Sequence, residues 1–448
     1  MSGITKRRVF IECTNTFFGG HNTGIQRVAR NVANHSLDIG IANAEVAPIV
    51  WVGFGFCQVK RKIGVKPQTP NGRTSRIARL LDGALRLMLS RLRVGLLLFD
   101  RKILRYAGNE KAHDFMLNLR HFLYCLEYLP DQMLSGRYIR FRRGDIVVLV
   151  DATWNFHAML DALFKAQHDQ GVKLGAMIHD LFPLILPATC DEITIRRFVA
   201  WFNQVVPHAD FFVTNSQATS TSLREHLNAC SPLRTHPYVI GSFRLGAGLD
   251  LASEEETELR DMHSAQDVPG TVLLCVGTIE PRKNHAYLLD AFDNLRQRGI
   301  DVSLIIVGRS GWKNAGIMER IRHHRDFGTR LLHYDNASDR VLAEAMAKAD
   351  CLVYPSIAEG FGLPIVEGLL YGLAVFASDI PPFREIGSDY CHFFDLASPA
   401  SLADQLEQWI AETRSPGANV TQKVFAWPGW GESTRELVHL TLELAGNQ

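Results

Sequence analysis

The sequence lacks the cysteine patterns of a metal site or a disulfide framework. Its eight cysteines are scattered over 448 residues, without a Cys-x-x-Cys or Cys-x-x-His pair. Several lie inside apolar runs, such as LLCVG around Cys275 and DCLVY around Cys351. Thiols of this kind are typical of a protein in the reducing cytosol. The pattern disfavours a zinc site and disulfides, and predicts a cytoplasmic location.

Long apolar runs are also missing. No stretch approaches the ~18 apolar residues that a membrane-spanning helix needs, and the nearest candidate, 361–377, contains Glu367. The first apolar run, VFIE after MSGITKRR, is too short for a secretory signal. We expect a protein that is soluble or that lies on a membrane without crossing it.

Net charge is close to zero overall but uneven along the chain. The whole chain carries +1, whereas the segment 60–106 holds thirteen Lys or Arg against Asp82 and Asp100, a net +11. Within it, apolar residues at near-helical spacing alternate with Arg76, Arg79 and Arg86. This basic insert is typical of a helix at an anionic lipid surface, and equally of a surface helix packed on its own domain. Nucleic-acid binding is a weaker alternative because aromatic residues for base stacking are few.

Short apolar runs alternate with amphipathic stretches along most of the chain, which is 46% hydrophobic and 21% charged. Near-continuous Val/Ile/Leu strands separated by helices predict parallel sheets covered on both faces, and two successive series predict two sheets. Strands are predicted at 7–12, 145–151, 173–180, 209–216 and 238–246, and then at 271–277, 302–308, 330–335, 349–356 and 373–379. Helices are predicted at 285–299, 338–349 and from about 431. The fold class is therefore α/β.

The acidic stretch 251–268 is the predicted boundary between two domains. Residues 1–250 are assigned to an N-terminal domain and 269–426 to a C-terminal domain. Residues 427–448 are predicted to form a helix that returns to the N-terminal domain.

The most specific motif is EGFGLPIVEG, residues 359–368, between a predicted strand and a helix. Gly360 and Gly362 allow a tight turn, and Pro364 suits the first position of a helix. The backbone N–H groups at such a start attract a negative group such as a diphosphate. Glu359 and Glu367 flank this cradle, and the carboxyl end of a strand in an open sheet is where ligands bind.

A second motif, GTIEPRKNH at 277–285, also follows a predicted strand. Its adjacent Arg282 and Lys283 offer two cations for phosphate oxygens. In the N-terminal half, FFGGHNTGIQRV at 17–28 is a weaker Gly-rich loop candidate. His179 ends another predicted strand beside Asp180, where it would face the cleft.

Together these stretches resemble family 4 of the retaining glycosyltransferases, which have the GT-B architecture of two Rossmann-like domains facing across a cleft. Glu359 and Glu367 match the E-x7-E signature of that family. VGTIEPRKN matches the phosphate loop of a subgroup rich in bacterial mannosyltransferases that build surface polysaccharides. FAWPGWGEST at 425–434 resembles the motif before the helix that crosses back to the first domain.

The resemblance implies a nucleotide-sugar donor, most simply GDP-mannose, and no separate cofactor. Glu367 would hold the nucleotide ribose, and the N-terminal domain would bind the acceptor. Lys283, helped by Arg282, would stabilise the leaving phosphate, with Glu359 and His179 beside the sugar. The remaining donor contacts implied are Gly20, Thr23, Gly24, Gly277, Gly360, Phe361, Gly362, Leu363 and Pro364.

The resemblance also implies transfer of a hexose with retention at the anomeric carbon, onto a lipid-linked or oligosaccharide acceptor of a surface polysaccharide or O-antigen. Same-face attack and double displacement through Glu359 both stay open. The chain has no Asp-x-Asp motif, which disfavours metal-dependent transfer. Many relatives carry Arg where this chain has Thr278, so Arg282 would supply the second positive charge.

Other functions compete with this hypothesis. A UDP- or TDP-sugar donor, or a sugar-nucleotide epimerase, would use the same fold. An NAD-dependent oxidoreductase is weaker, because neither half shows Gly-x-Gly-x-x-Gly after its first strand with an acid about 20 residues later. A regulatory or scaffold protein would need a broken donor site, and the matched motifs are intact.

Overall fold

The computed structural model describes residues 6–18, 23–64, 138–230, 239–248, 267–415 and 424–446. Gly20, the basic insert from residue 65 onward and most of the predicted connector 251–268 lie outside the described residues. The possible membrane contact of the insert therefore stays a prediction. Within the described parts, no helix is both long and apolar enough to cross a bilayer.

The first sheet has the strand order β3-β2-β1-β4-β5-β6-β7 among the described residues. All neighbouring strands run parallel except β2 and β3. The strands are β1 (Arg7–Glu12), β2 (Ala44–Trp51), β3 (Phe56–Gln58), β4 (Ile146–Leu149), β5 (Lys173–Ile178), β6 (Phe211–Thr214) and β7 (Val239–Ser242). The described helices between them are α1 (Thr14–Phe18), α2 (Gly24–Ser36), α3 (His157–Gln170), α4 (Phe182–Ile185), α5 (Glu192–Val205) and α6 (Gln217–Ala229).

The second sheet is parallel, with the order β10-β9-β8-β11-β12-β13. Its strands are β8 (Thr271–Val276), β9 (Val302–Val307), β10 (Leu331–Tyr334), β11 (Cys351–Tyr354), β12 (Ala374–Ser378) and β13 (Cys391–Phe394). The described helices of this part are α7 (His285–Gln297), α8 (Ala315–Arg322), α9 (Asp339–Lys348), α10 (Leu363–Leu370), α11 (Pro381–Gly387), α12 (Pro399–Thr413) and α13 (Trp430–Gly446), with a 3₁₀ turn at Pro281–Lys283.

Helix α13 packs on α2 and β7 of the first sheet rather than on the second. Its Leu437 and Val438 are fully buried and share an apolar cluster with Val28 and Val32 of α2. The indole Nε1 of Trp427, just before α13, donates to the carbonyl of Leu245 at 2.7 Å. We therefore describe a first domain, formed by the first sheet, its helices and α13, and a second domain, formed by β8–β13 and α7–α12.

The ten predicted strands and the helices at 285–299, 338–349 and 431 are confirmed within a few residues at their ends. Within the described residues, three strands are additional: β2, β3 and β13. Pro48 lies inside β2, and a proline usually argues against a strand. β3 and β13 are only three and four residues long.

Each sheet reverses its order at one point. In the first sheet the chain winds outward in both directions from the β1–β4 pair, and in the second from the β8–β11 pair. Crevices at the carboxyl ends of such central strands are where open α/β sheets bind ligands. The predicted site residues after β8 and β11 lie at this position of the second domain, and His179, directly after β5, lies at the facing edge of the first.

Candidate active site

A compact charge cluster joins the loops that follow β8 and β11. The Oε1 atom of Glu359 accepts from Lys283 Nζ at 2.5 Å, and its Oε2 atom lies 2.5 Å from Arg282 Nη1. Lys283 Nζ also donates to the hydroxyl of Tyr354 at 2.5 Å, and Arg282 Nη2 to Glu280 Oε1 at 2.6 Å. The structure therefore brings together three predicted residues, Arg282, Lys283 and Glu359, around one carboxylate.

The two cations fix the protonation state of Glu359. Burial alone would raise the pKa of this carboxyl, but the charges of Arg282 and Lys283 outweigh burial and hold the pKa at about 2. Burial raises the pKa of Tyr354 and of Glu280. At neutral pH Glu359 is thus an anion with a cation on each oxygen, while Tyr354 keeps its proton.

Gly277 makes room for the lysine. It has φ +150°, and a Cβ there would lie 3.3 Å from Lys283 Cε. Arg282 is held from the first domain as well, because its guanidinium carbon lies 4.7 Å from the centre of the Phe182 ring. The phosphate-loop motif therefore presents both cations toward the cleft between the domains.

Gly360 is the point at which the two domains touch backbone to backbone. A Cβ at this position would lie 2.0 Å from the carbonyl oxygen of His179. The Gly360 carbonyl accepts from Ser216 Oγ at 2.6 Å and from Thr219 Oγ1 at 3.0 Å, both at the start of α6. Only glycine permits this approach.

The rest of the Gly-rich turn leads into α10. Gly362 has φ +132° and precedes the first helical residue, Leu363, so Pro364 occupies the second helical position. Phe361 is buried against Trp427, with ring centres 6.0 Å apart. The first-turn amides of a helix have no partner within the helix, which makes this start a place for an anion.

Glu367 lies one turn into α10 and is 2% exposed. It forms an ion pair with Arg27 of α2, which belongs to the first domain. Burial raises the pKa of Glu367, and the nearby Arg27 acts against this rise. The carboxylate expected to hold a ribose thus contacts a cation from across the cleft.

Helix α2 begins next to this contact. Thr23 caps it, because its hydroxyl accepts from the amide of Gln26 while Gln26 Oε1 accepts from the amide of Thr23. Gly24 is the first helical residue, and Gly20 lies outside the described residues. The described part of the Gly-rich loop therefore leads into a well-capped helix that points Arg27 at the second domain.

His179 follows β5 and faces Gly360 through its backbone. Its ring Nε2 lies 2.8 Å from the carbonyl oxygen of Val150 and must donate, since a carbonyl only accepts. Burial lowers the pKa of His179 to about 4, so the ring is neutral at pH 7 and its Nδ1 is an acceptor. A small cavity beside it is lined by Asp151, Trp154, Asp180 and Trp201, among others.

Several residues of this site were not predicted. Arg27 is part of the Gly-rich segment but carries no motif of its own, and Tyr354 belongs to a strand that the sequence marks only as buried. Glu280 lies within the phosphate-loop motif, where its contact with Arg282 could have been expected from their spacing.

Two family models match the chain. Residues 260–421, which contain all of β8–β13, match the family described as Glycosyl transferases group 1. The second domain is a group 1 glycosyltransferase domain. Residues 102–228 match the Glucosyltransferase 3-like, N-terminal domain. The Glu359 cluster and Glu367 therefore lie inside the group 1 domain, and His179 inside the matched part of the first.

Curated relatives of this chain include mannosyltransferases. The serotype-specific mannosyltransferase WbdA of Escherichia coli is 30% identical over 326 residues, which are 70% of this chain and 39% of that protein. A phosphatidyl-myo-inositol mannosyltransferase of Mycolicibacterium smegmatis is 34% identical over 145 residues, 32% of this chain and 35% of that protein. The chain thus spans about two fifths of the length of the relatives that it matches.

The fold has solved counterparts. Sucrose-phosphate synthase from Thermosynechococcus elongatus superimposes with a TM-score of 0.59 over 99% of this chain and 100% of that chain, at 14% identity. At that identity the likeness concerns the fold alone. The predicted class, α/β with two Rossmann-like domains in the GT-B arrangement, is confirmed.

Proposed function

We propose that this protein is a retaining glycosyltransferase of family 4, in the EPRKN subgroup. It transfers mannose from GDP-mannose onto a lipid-linked or oligosaccharide acceptor during assembly of a surface polysaccharide such as an O-antigen. The observation that carries the proposal is the pair of cations, Arg282 and Lys283, gathered with Glu359 at the switch point of a group 1 domain. The mannosyltransferase relatives support the choice of sugar.

In this proposal the second domain binds the donor. The ribose binds Glu367, and the diphosphate lies on the backbone of 360–364 and on the loop that starts at Gly277. When the bond between sugar and phosphate breaks, negative charge grows on the leaving phosphate, and Lys283 and Arg282 are placed to stabilise it. These two cationic side chains supply the positive charge that a metal ion supplies in other transferases, so the proposed chemistry needs no metal.

The contacts of Glu359 favour same-face attack over double displacement. A carboxylate nucleophile needs an oxygen free to bond the anomeric carbon. Each Glu359 oxygen is held by a cation at 2.5 Å. We therefore propose that Glu359 holds Lys283 and Arg282 in position beside the sugar. A donor phosphate oxygen then takes the acceptor proton.

The acceptor would bind on the first domain beside His179. The cavity there holds no more than about one water molecule, so the acceptor would lie at its mouth, where the side chains of Trp154 and Asp180 are half-buried. Aromatic faces and carboxylates are side-chain types that can pack on a sugar ring and accept its hydroxyl protons. We propose that the neutral His179 ring accepts a hydroxyl hydrogen bond through Nδ1.

The proposed location is the cytoplasm, with peripheral contact at the inner face of the membrane through the basic insert 60–106. This contact rests on the sequence alone. Replacing Arg76, Arg79, Arg86 and Arg93 by Gln should lower co-sedimentation with anionic vesicles, whereas unchanged binding would leave the insert as a surface helix.

The donor is tested by thermal shift with GDP, UDP, ADP and TDP, each alone and as a sugar conjugate. A ligand at 100 times its Kd stabilises by ~2.7 kcal/mol, which gives a clear shift. Selective stabilisation by GDP and GDP-mannose is expected. Stabilisation by UDP or TDP alone would rule out GDP-mannose as the donor. No stabilisation by any nucleotide would contradict the proposed donor site.

Transfer itself is tested by acceptor-dependent release of the nucleoside diphosphate. Glu367→Ala should abolish release while the circular dichroism spectrum stays unchanged, and Glu225→Ala, an exposed residue on α6, serves as the matched control. Conversion of the donor without any acceptor would instead indicate a sugar-nucleotide epimerase.

A further inference from the structure

The ion pair between Arg27 and Glu367 joins the two domains at the proposed donor site. Arg27 lies in the first turn of α2, and its Nη2 atom also donates to the carbonyl of Gly248 at 3.0 Å. The two side chains are 12% and 2% exposed. The pair is thus almost fully removed from solvent, at the place where the chain leaves the first domain.

The pair is incompletely hydrogen-bonded among the residues that the structure describes. Arg27 Nε is buried there without a hydrogen-bond partner, and the Glu367 oxygens meet a charge but no well-directed hydrogen bond. Buried ionic pairs repay their desolvation only when their remaining donors and acceptors are bonded. These spare positions can take the hydroxyl and anionic oxygens of a ligand.

Charge balance determines which ligand groups fit. Ribose hydroxyls are neutral. A ribose that displaces Arg27 from the Glu367 carboxylate would therefore leave a buried guanidinium without its counter-ion, which is costly. A nucleoside diphosphate brings negative charge with the same ribose. The start of α10, where the diphosphate would lie, is four residues from Glu367, about 6 Å along the helix.

We infer that Arg27 changes partner when the donor binds: it leaves Glu367 to the ribose and pairs with the diphosphate of the donor. This inference rests on the proposed function and deepens it. Arg27 is then a donor-binding residue contributed by the first domain. The nucleotide thereby replaces a direct contact between the domains with one that runs through the diphosphate.

The test compares a nucleoside with its own diphosphate. Affinities for guanosine and GDP are measured by calorimetry on the full chain, for the wild type, Arg27→Gln and Arg224→Gln. Arg224 is an exposed arginine on α6 and serves as the control. If GDP does not bind, the comparison is made between uridine and UDP and between adenosine and ADP.

Arg27→Gln should lower the affinity for GDP at least tenfold, because the diphosphate loses a cationic partner. It should bind guanosine more tightly than the wild type does, because the ribose no longer competes with a guanidinium for Glu367. Arg224→Gln should change neither affinity. Arg27→Lys, which keeps a cation but not the planar fork, should fall between the wild type and Arg27→Gln, and it replaces that variant if Arg27→Gln does not fold.

Other outcomes overturn the inference in distinguishable ways. An equal loss of affinity for guanosine and for GDP in Arg27→Gln would show that Arg27 only supports the fold. Equal strengthening would show a simple latch that any ligand displaces. Wild-type affinities for both guanosine and GDP in Arg27→Gln would reject the exchange of partners while leaving the proposed function intact. A wild type that binds no nucleoside diphosphate would contradict the proposed function and the inference together.

Discussion

Glu12 and Glu359 are buried glutamates at corresponding edges of the two sheets, and their carboxyl groups hold protons very differently. Glu12 ends β1 in the first domain, where burial and the nearby Asp151 raise its pKa to about 8. Glu359 follows β11 in the second domain, where Arg282 and Lys283 outweigh burial and hold its pKa at about 2. Glu12 is fully buried and Glu359 largely so, and burial disfavours the anion in both, so the neighbouring charges decide the outcome.

The hydrogen bonds around the two groups differ as well. Around Glu12, the local backbone binds the carboxyl groups: the amide of Thr14 donates to Glu12 at 2.7 Å and the amide of Thr16 to Asp151 at 2.5 Å. Around Glu359 the partners are cationic side chains that face the cleft. Among the described residues, backbone amides and no cation contact the first pair of carboxyl groups, and Glu12 Oε2 has no hydrogen-bond partner. The cations gathered around Glu359 are the reason that we propose an anion site in the second domain and none at Glu12.

The largest effect that separates the two regions is expected from Lys283→Ala. Loss of one preorganised cation at a leaving group costs about 10²–10³ in kcat, and the fold should persist. Steady-state transfer and thermal melting check this, with Lys165→Ala as the control because Lys165 is an exposed lysine on α3. A loss of melting cooperativity in Lys283→Ala would make the lysine structural.

Glu359→Gln and Glu12→Gln should differ in their effect on stability at pH 7. Glu359→Gln removes the anion shared by two buried cations, and breaking such a pair costs about 3–5 kcal/mol of the free energy of unfolding. Glu12→Gln stays neutral in both the folded and the unfolded state and avoids the cost of protonating a buried carboxyl at pH 7, so it should gain up to about 3 kcal/mol. Urea denaturation measures both, and equal losses would contradict the difference in charge state.

The same two variants should show opposite pH dependence. The folded-state pKa of Glu12 lies above its ordinary value of 4.5, so the native state binds more protons between pH 4.5 and about 8. Its contribution to the free energy of unfolding therefore falls as pH rises through this window, by up to about 1.4 kcal/mol per pH unit. Glu12→Gln should lose that slope.

Glu359 acts in the opposite direction. Its folded-state pKa lies below 4.5, so its contribution is fully present above pH 4.5 and is lost as pH falls toward 2. The stability gap between the wild type and Glu359→Gln should close over that acidic range. A pH series of urea midpoints measures both slopes, and parallel curves for the two variants would contradict the comparison.

The sequence predicts the regular part of this molecule well, because buried parallel strands are continuous apolar runs. The strands around Cys275 and Cys351 are confirmed on that basis. Strand β2 was missed because Pro48 interrupts its pattern. The predicted domain bounds and the roles of individual site residues stay predictions.

Contacts between the domains were beyond sequence reasoning. Arg27 and Glu367 are 340 residues apart, and no periodicity links them. Likewise, the motif predicts that Gly360 allows a tight turn, but only the folded structure shows that it faces the carbonyl of His179. Local patterns specify each strand and loop, whereas the packing of one domain on the other selects which loops meet.

Helix α13 sets the order in which the two domains can be completed during synthesis. The second domain is synthesised before α13, whereas the core of the first domain includes Leu437 and Val438 of that helix. Domains usually fold in the order of their synthesis. Here the domain that begins first is finished last, and until α13 arrives the apolar face of α2 at Val28 and Val32 is open to chaperones and to aggregation.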